Sequence, residues 1–186
     1  MNKPMQSLRR CALHGLVAIS LALALPALTP AAAAEEVAAQ AVGKEMRCPV
    51  CGMYPARYPK WMTQVIFKDG TMRATDSPLD LFRFLHDMAK YDRKHVREDI
   101  AVIYLSDYLK GGWVDAKRAY FVAGSSARGP MNNADLPAFN GREAAEKFAG
   151  EQGGKVLGFE QITAELVANL GHDDHGDHGH HDHHGH

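Results

Sequence analysis

The strongest chemical signal in the chain is Cys48-Pro49-Val50-Cys51-Gly52-Met53, two thiols and a thioether within six residues. Thiolate and thioether sulfur are soft donors and select Cu(I) over hard cations. Zinc knuckles and thiol-disulfide exchange enzymes use the same Cys-x-x-Cys spacing, so three chemistries share the motif. The only other cysteine, Cys11, lies near the N-terminus, ahead of an apolar run. A four-cysteine zinc site within one chain is thereby excluded. A tetrahedral zinc site would need two more ligands, and His86 and His95 do not stand at knuckle-like spacing. An exchange enzyme sets its first cysteine at a helix N-terminus directly after a strand, where the thiolate is stabilised. Val42 to Arg47 show no strand pattern, and Gly52, Pro55 and Pro59 forbid a long helix after the pair. Linear or trigonal Cu(I) needs only two or three soft donors, so Cys48, Cys51 and Met53 suffice. Met62, Met72 and Met131 are further thioethers; methionine is by default a core gap-filler, but Met131 sits in a polar Gly/Pro/Asn loop.

The elements that must position these residues can be read from patterning. Glu35 to Glu45 is Ala-rich without a strong period and reads as a tether, with order beginning near Met46. Trp61 to Phe67 is β-branched and aromatic, and Asp69-Gly70 is a tight-turn signal leading into Thr71 to Thr75: a β-hairpin. Ser77-Pro78-Leu79-Asp80 opens a helix, with Ser as cap, Pro in the first turn and an acid three residues on. Leu79, Phe82, Leu85 and Met88 give that helix one apolar face as far as Lys90. His86 on this helix reads as solvated or partly packed, and His95 in the charged loop Tyr91 to Asp99 as a surface residue. Ile100 to Leu105 is a buried-strand run, and Trp113 to Asp115 and Ala119 to Ala123 read as a further strand pair. A Gly/Ser/Pro/Asn-rich loop from Gly124 to Asn133 precedes Asn140-Gly-Arg-Glu143, a capping-box-like helix start running through Phe148. Val156 to Phe159 is a short strand, followed by an amphipathic helix with Ile162, Leu166, Val167 and Leu170 on one face. The class is α+β, with small antiparallel sheets under short covering helices. The order strand pair, helix, strand recurs, which suggests two related ββαβ modules in tandem, 46–108 and 109–171.

The ends of the chain speak to its compartment. Lys3, Arg9 and Arg10 precede the small-apolar run Leu16 to Leu25, and Ala31 to Ala34 offers an A-x-A cleavage site: residues 1–34 read as a secretory signal. The apolar run is about half of the ~20 residues a spanning helix requires, so no membrane anchor is expected after processing. Cleavage near Ala34 leaves 152 residues, 35–186, and the metal-binding domain is placed at 46–171. An exported protein meets an oxidising periplasm, where two thiols need protection by a metal, a partner or a reductant. Residues 172–186 hold eight His, four Asp and three Gly with no apolar residue, a composition that buries nothing and reads as disordered. Its imidazoles, His172, His175, His178, His180, His181, His183, His184 and His186, suit weak multi-site binding of Zn or Cu(II). An affinity tag would be an unbroken His run. With the signal and tail set aside, 18 basic residues balance 18 acidic ones, and no basic stripe invites nucleic acid.

Taken in order, Cys-Pro-Val-Cys-Gly-Met-Tyr-Pro, Phe67-Lys-Asp-Gly-Thr71, Asp76, Leu81-Phe82, Asp115-Ala116-Lys117, Tyr120-Phe121-Val122 and Gly129-Pro130-Met131 resemble the NosL-like family, accessory proteins of nitrous oxide reductase maturation. The resemblance runs from about Met46 to Leu170. It implies a periplasmic Cu(I) chaperone of two small αβ modules, without catalysis of its own, that supplies a multicopper reductase alongside other assembly factors. Carried over by motif, Cys51 and Met53 are its copper ligands, Cys48 a helper and Met131 a further ligand. Many members are lipoproteins with an acylated cysteine after the signal, and this chain shows none there. The resemblance leaves room for a homodimer in which a second chain completes the site. The competing readings are a thiol-disulfide oxidoreductase and a zinc-stabilised interaction module.

Overall fold

The computed structural model describes residues 37–172. The signal segment with Cys11, and the tail beyond His172, lie outside the described residues. Four helices and seven strands make an α+β fold with two antiparallel sheets, one of four strands and one of three. The first sheet begins with the hairpin β1 (Thr63–Phe67) and β2 (Met72–Thr75), closed at Asp69-Gly70 as the turn signal requires. Asp69 Oδ1 accepts from the Thr71 amide and hydroxyl at 2.9 and 2.6 Å, so the turn is tied by its own side chains. Helix α1 (Pro78–His86) follows at once, then α2 (Met88–Tyr91), and β3 (Ile100–Ser106) returns along the far edge of β1.

Ser77 caps α1 as its sequence predicts: its backbone is extended and its Oγ accepts from the Asp80 amide at 3.3 Å. The helix stops at His86, because Asp87 has a non-helical backbone (φ −139°, ψ 58°), and Met88 belongs to α2. Leu79, Phe82, Leu85 and Met88 are all buried, but so are Leu81 and Phe84. The helix is covered on more than the single face its spacing predicts. The Phe82 ring meets those of Phe121 and Phe159, each at a centroid distance of 5.2 Å. Burying such a side chain contributes about 1.5–3 kcal/mol.

The expected pairing of Trp113–Asp115 with the strand after it does not occur. Strand β4 (Trp113–Asp115) adds to β3 at the edge of the first sheet, while β5 (Tyr120–Ala123) becomes the centre of the second. The partner of β5 is β6 (Ala138–Phe139), two residues long and in a stretch to which the sequence assigns no element; α3 (Arg142–Gln152) and β7 (Lys155–Gly158) complete the unit. Both sheets then share one plan, the first strand central between the second and the third, β2-β1-β3 and β6-β5-β7, with β4 added at the edge of the first. Helix α3 runs four residues past Phe148, with Gly141 as cap and no side-chain cap bond, so the capping box is not formed. Helix α4 (Ala164–His172) packs Val167 and Leu170 into the core shared with α1.

Successive side chains of a strand alternate between faces, and the core is built on that alternation. Val65 and Phe67 of β1 and Phe121 and Ala123 of β5 enter the main apolar cluster, which contains residues of both sheets, α1 and α4. Val122 turns instead to the smaller cluster formed with Phe139, Ala145 and Phe148 beneath α3. Order also begins earlier than Met46. Gln64, fully buried, donates to the Gln40 carbonyl at 3.1 Å and accepts its amide at 2.8 Å, and Tyr104 Oη donates to the Val37 carbonyl at 2.7 Å. The upstream segment is therefore held against β1 and β3 rather than hanging free.

His95 is the clearest departure from its sequence reading. It is only 6% exposed, stacked on Phe67 at 3.9 Å with an interplanar angle of 7°. Nδ1 lies 3.0 Å from Asp92 Oδ2, and Nε2 lies 3.1 Å from Asp69 Oδ2 and from Thr71 Oγ1. The ring thus pins the hairpin turn to the exit of α2. His86, as expected, is exposed; its Nε2 donates to the Ile162 carbonyl at 2.9 Å.

Candidate metal site

The cysteine motif folds into a turn tied at both ends. The Gly52 amide donates to the Cys48 carbonyl at 2.9 Å, and the Cys48 amide donates to the Met53 carbonyl at 2.8 Å. Gly52 adopts φ +78°, a conformation that costs a side-chain-bearing residue energy and glycine almost none. Arg47 Nη1 donates to the Gly52 carbonyl at 3.0 Å and its other nitrogen to Tyr54 Oη. Arg47 and Arg57 lie over the Tyr54 ring, 4.4 and 4.7 Å from its centroid. Val50 packs on the main core and seats the turn.

The turn places both thiols at the N-terminus of α1, between two carboxylates. Cys51 Sγ donates to Asp76 Oδ1 at 2.9 Å, and Cys48 Sγ to Asp80 Oδ2 at 3.5 Å. One donor atom from each of Cys48, Cys51, Asp76 and Asp80 lies within 4.8 Å of the others. A first-row ion with bonds of about 2.0–2.3 Å spaces tetrahedral ligands roughly 3.5 Å apart, so modest side-chain rotation closes the set. Cys48 is 2% exposed and both aspartates are buried, whereas Cys51 is half-buried and faces the way in. The neighbouring Cys48 thiol, burial and the two carboxylates push the Cys51 thiol well above its usual range. Metal binding to sulfur requires the thiol proton to leave.

Asp76 and Asp80 owe their places to adjoining elements: β2 ends one residue before Asp76, and Asp80 lies in the first turn of α1. Arg83 Nη1 bonds Asp80 Oδ1 at 2.9 Å, which leaves Oδ2 turned to the thiols. A third buried acid, Asp135, supports the same helix end: its Oδ1 accepts from the Leu79 amide at 2.9 Å and from the Leu136 amide at 2.8 Å. Burial pushes its carboxyl up to about 7.

Of the residues singled out by sequence, Cys48 and Cys51 come together. Met53 is half-buried at the end of the turn. Met131 is 54% exposed on a loop, and Met62 and Met72 are partly buried. His172 is the last residue of α4, and His175 to His186 lie outside the described residues. Sequence reasoning missed the two carboxylates as site residues. Their signal was the Asp76-x-x-x-Asp80 spacing astride Ser77-Pro78, which a helix cap explains on its own.

Two small antiparallel sheets that carry a thiol–carboxylate cluster at one helix N-terminus define an α+β domain able to hold a metal ion. The chain belongs to the NosL family, whose model matches residues 39–167. It is 29% identical over 162 residues to a copper-binding lipoprotein NosL of Achromobacter cycloclastes, covering 81% of each chain. It is 31% identical over 121 residues to the copper-binding lipoprotein NosL of Stutzerimonas stutzeri; that match covers 64% of this chain and 63% of the relative. Among solved structures, the crystal structure of the copper chaperone NosL from Shewanella denitrificans superposes with a TM-score of 0.58 at 28% identity, covering 69% of this chain and 97% of that one. No helix among the described residues is long and apolar enough to cross a membrane.

Proposed function

We propose that this chain is a periplasmic Cu(I)-binding chaperone, not itself an enzyme, that delivers copper for maturation of nitrous oxide reductase or a related copper enzyme. The observation that carries the proposal is the convergence of Cys48 and Cys51 on one buried helix end in a NosL-family domain. Soft sulfur suits Cu(I). Cys51 and Met53 are the principal ligands in this reading, Cys48 assists, and Met131 supplies a further thioether. A site of two or three sulfurs leaves one side open, so an incoming Cys, Met or His of a recipient can enter as a donor of this chain leaves. Asp76 and Asp80 hold the thiol protons in hydrogen bonds and offer a route for them as metal enters.

A thiol-disulfide oxidoreductase is disfavoured by the same geometry. Its attacking cysteine is the first of the pair and must be reachable by substrate, and here Cys48 is only 2% exposed. No strand feeds the motif, and the helical piece after it is the single turn Pro55–Arg57. The zinc reading gains a specific observation instead. The two ligands it lacked are supplied by Asp76 and Asp80, which make an S2O2 set suited to a divalent ion. The two metals are separated by offering Cu(I) and Zn together, anaerobically, to the chain lacking residues 172–186, followed by metal analysis. The proposal expects one copper and little zinc per chain; one zinc and no copper would favour the interaction module.

A further inference from the structure

We propose that Asp135 is a positioning residue that fastens the Met131 loop to the metal site, an inference that rests on the copper reading above. Met131 sits at the tip of a small closed hairpin. The Gly129 amide donates to the Asn133 carbonyl and the Asn132 amide to the Gly129 carbonyl, both at 2.9 Å, and Arg128 and Ala134 form a bridge. Ala134 seats the base of that hairpin in the main core, and Asp135 adds a polar tie to the helix end beside the cysteines. One carboxylate oxygen takes the Leu79 amide across 56 residues of sequence, one position from Asp80 of the thiol–carboxylate cluster. The other fills the space above Gly129, where an added Cβ would stand 2.4 Å from Oδ2. Met131 is four residues from Asp135, within about 14 Å of extended chain and much less in a closed hairpin.

A carboxylate 2% exposed is an expensive way to hold two backbone amides, only one of them in the helix. Ser77 already shows that a neutral hydroxyl caps this helix. What Asp135 adds is a cross-link: the helix end that carries Asp80, and the loop that carries an exposed thioether, share one buried side chain. Held there, Met131 approaches the site as a preorganised ligand instead of a freely moving one.

The test is Cu(I) affinity of the whole chain against a Cu(I) chelator strong enough to strip the His-rich tail, with sulfur coordination read by X-ray absorption. Asp135→Ala and Gly129→Ala disturb the contact from its two sides, so failure of one variant to fold leaves the other to decide. Each is expected to weaken Cu(I) binding by about 10-fold and to remove one sulfur from the coordination shell. That loss should vanish in a Met131→Ala background and persist in a Met53→Ala background. Equal weakening in both backgrounds, or unchanged affinity in both variants, would overturn the anchor and leave the copper reading standing. Absence of tight Cu(I) binding by the unaltered chain would instead overturn the copper reading, and the anchor with it.

Discussion

Asp76 and Asp80 set hard donors against two soft ones, and substituting each kind separates the metals the site can hold. Asp76→Asn or Asp80→Asn should weaken Zn binding by at least the roughly 10–100-fold that a lost supporting group costs a metal site, yet leave Cu(I) affinity within a few-fold. Isothermal titration with each metal reads both effects. His95 supports a second prediction, on pH. Its bond to Asp92 and then to Asp69 raises its pKa above 6.5 in the fold. Asp69 is lowered by the Thr71 hydroxyl, then by Lys94; Asp92 is lowered because its bonds to His95 and Lys94 and the Arg73 charge outweigh burial. A raised histidine binds more protons folded than unfolded, so its stabilisation is full below pH 6.5 and fades as pH rises through its folded pKa. The two aspartates contribute above their ordinary value of 3.8 and lose that contribution below it. Asp135, raised to about 7 by burial, costs stability as pH climbs from 3.8, so thermal unfolding across pH 3–9 should show greatest stability near pH 4 and a decline on the alkaline side shared by Asp135 and His95. In His95→Gln the decline on the alkaline side should be shallower; an unchanged decline would refute the role given to the ring.

At the scale of elements, the site hangs on the junction between β2 and α1. Ser77→Ala removes the cap and should cost about 1 kcal/mol in denaturant unfolding. The Gln64–Gln40 exchange is a second such joint: Gln64→Ala leaves buried backbone groups unpaired, and should cost about 1–3 kcal/mol while residues 37–41 lose protection from hydrogen exchange. Equal protection in the variant would show that the upstream segment is held by other means. What was legible in the sequence follows the range of the interactions. The Asp69-Gly70 turn, the Ser77-Pro78 helix start and the apolar spacing of α1 and α4 are local and stood in plain view. The strand partners of Trp113–Asp115 and Tyr120–Ala123 depend on chain brought from elsewhere, and β6 is too short to carry a pattern. His95 reads as exposed in a charged loop because the residues that bury it, Phe67 and Asp69, lie on another hairpin. For the same reason the thiols could be picked out as candidates, but their carboxylate neighbours could not.

At the scale of the whole molecule, Cu(I) falls to the folded domain and divalent metal to the His-rich tail in the proposed reading. Deleting residues 172–186 should lower the stoichiometry of Zn or Cu(II) bound, since eight imidazoles are lost, and leave the Cu(I) site unchanged. Loss of Cu(I) affinity on deletion would contradict that division. The most direct test of the copper assignment is anaerobic titration of residues 35–171 with Cu(I) in the presence of a competing chelator. One tightly bound Cu(I) per chain is predicted, weakened at least about 10-fold by Cys51→Ala and by Met53→Ala. Failure to compete with the chelator, or affinity unchanged in both variants, would contradict it.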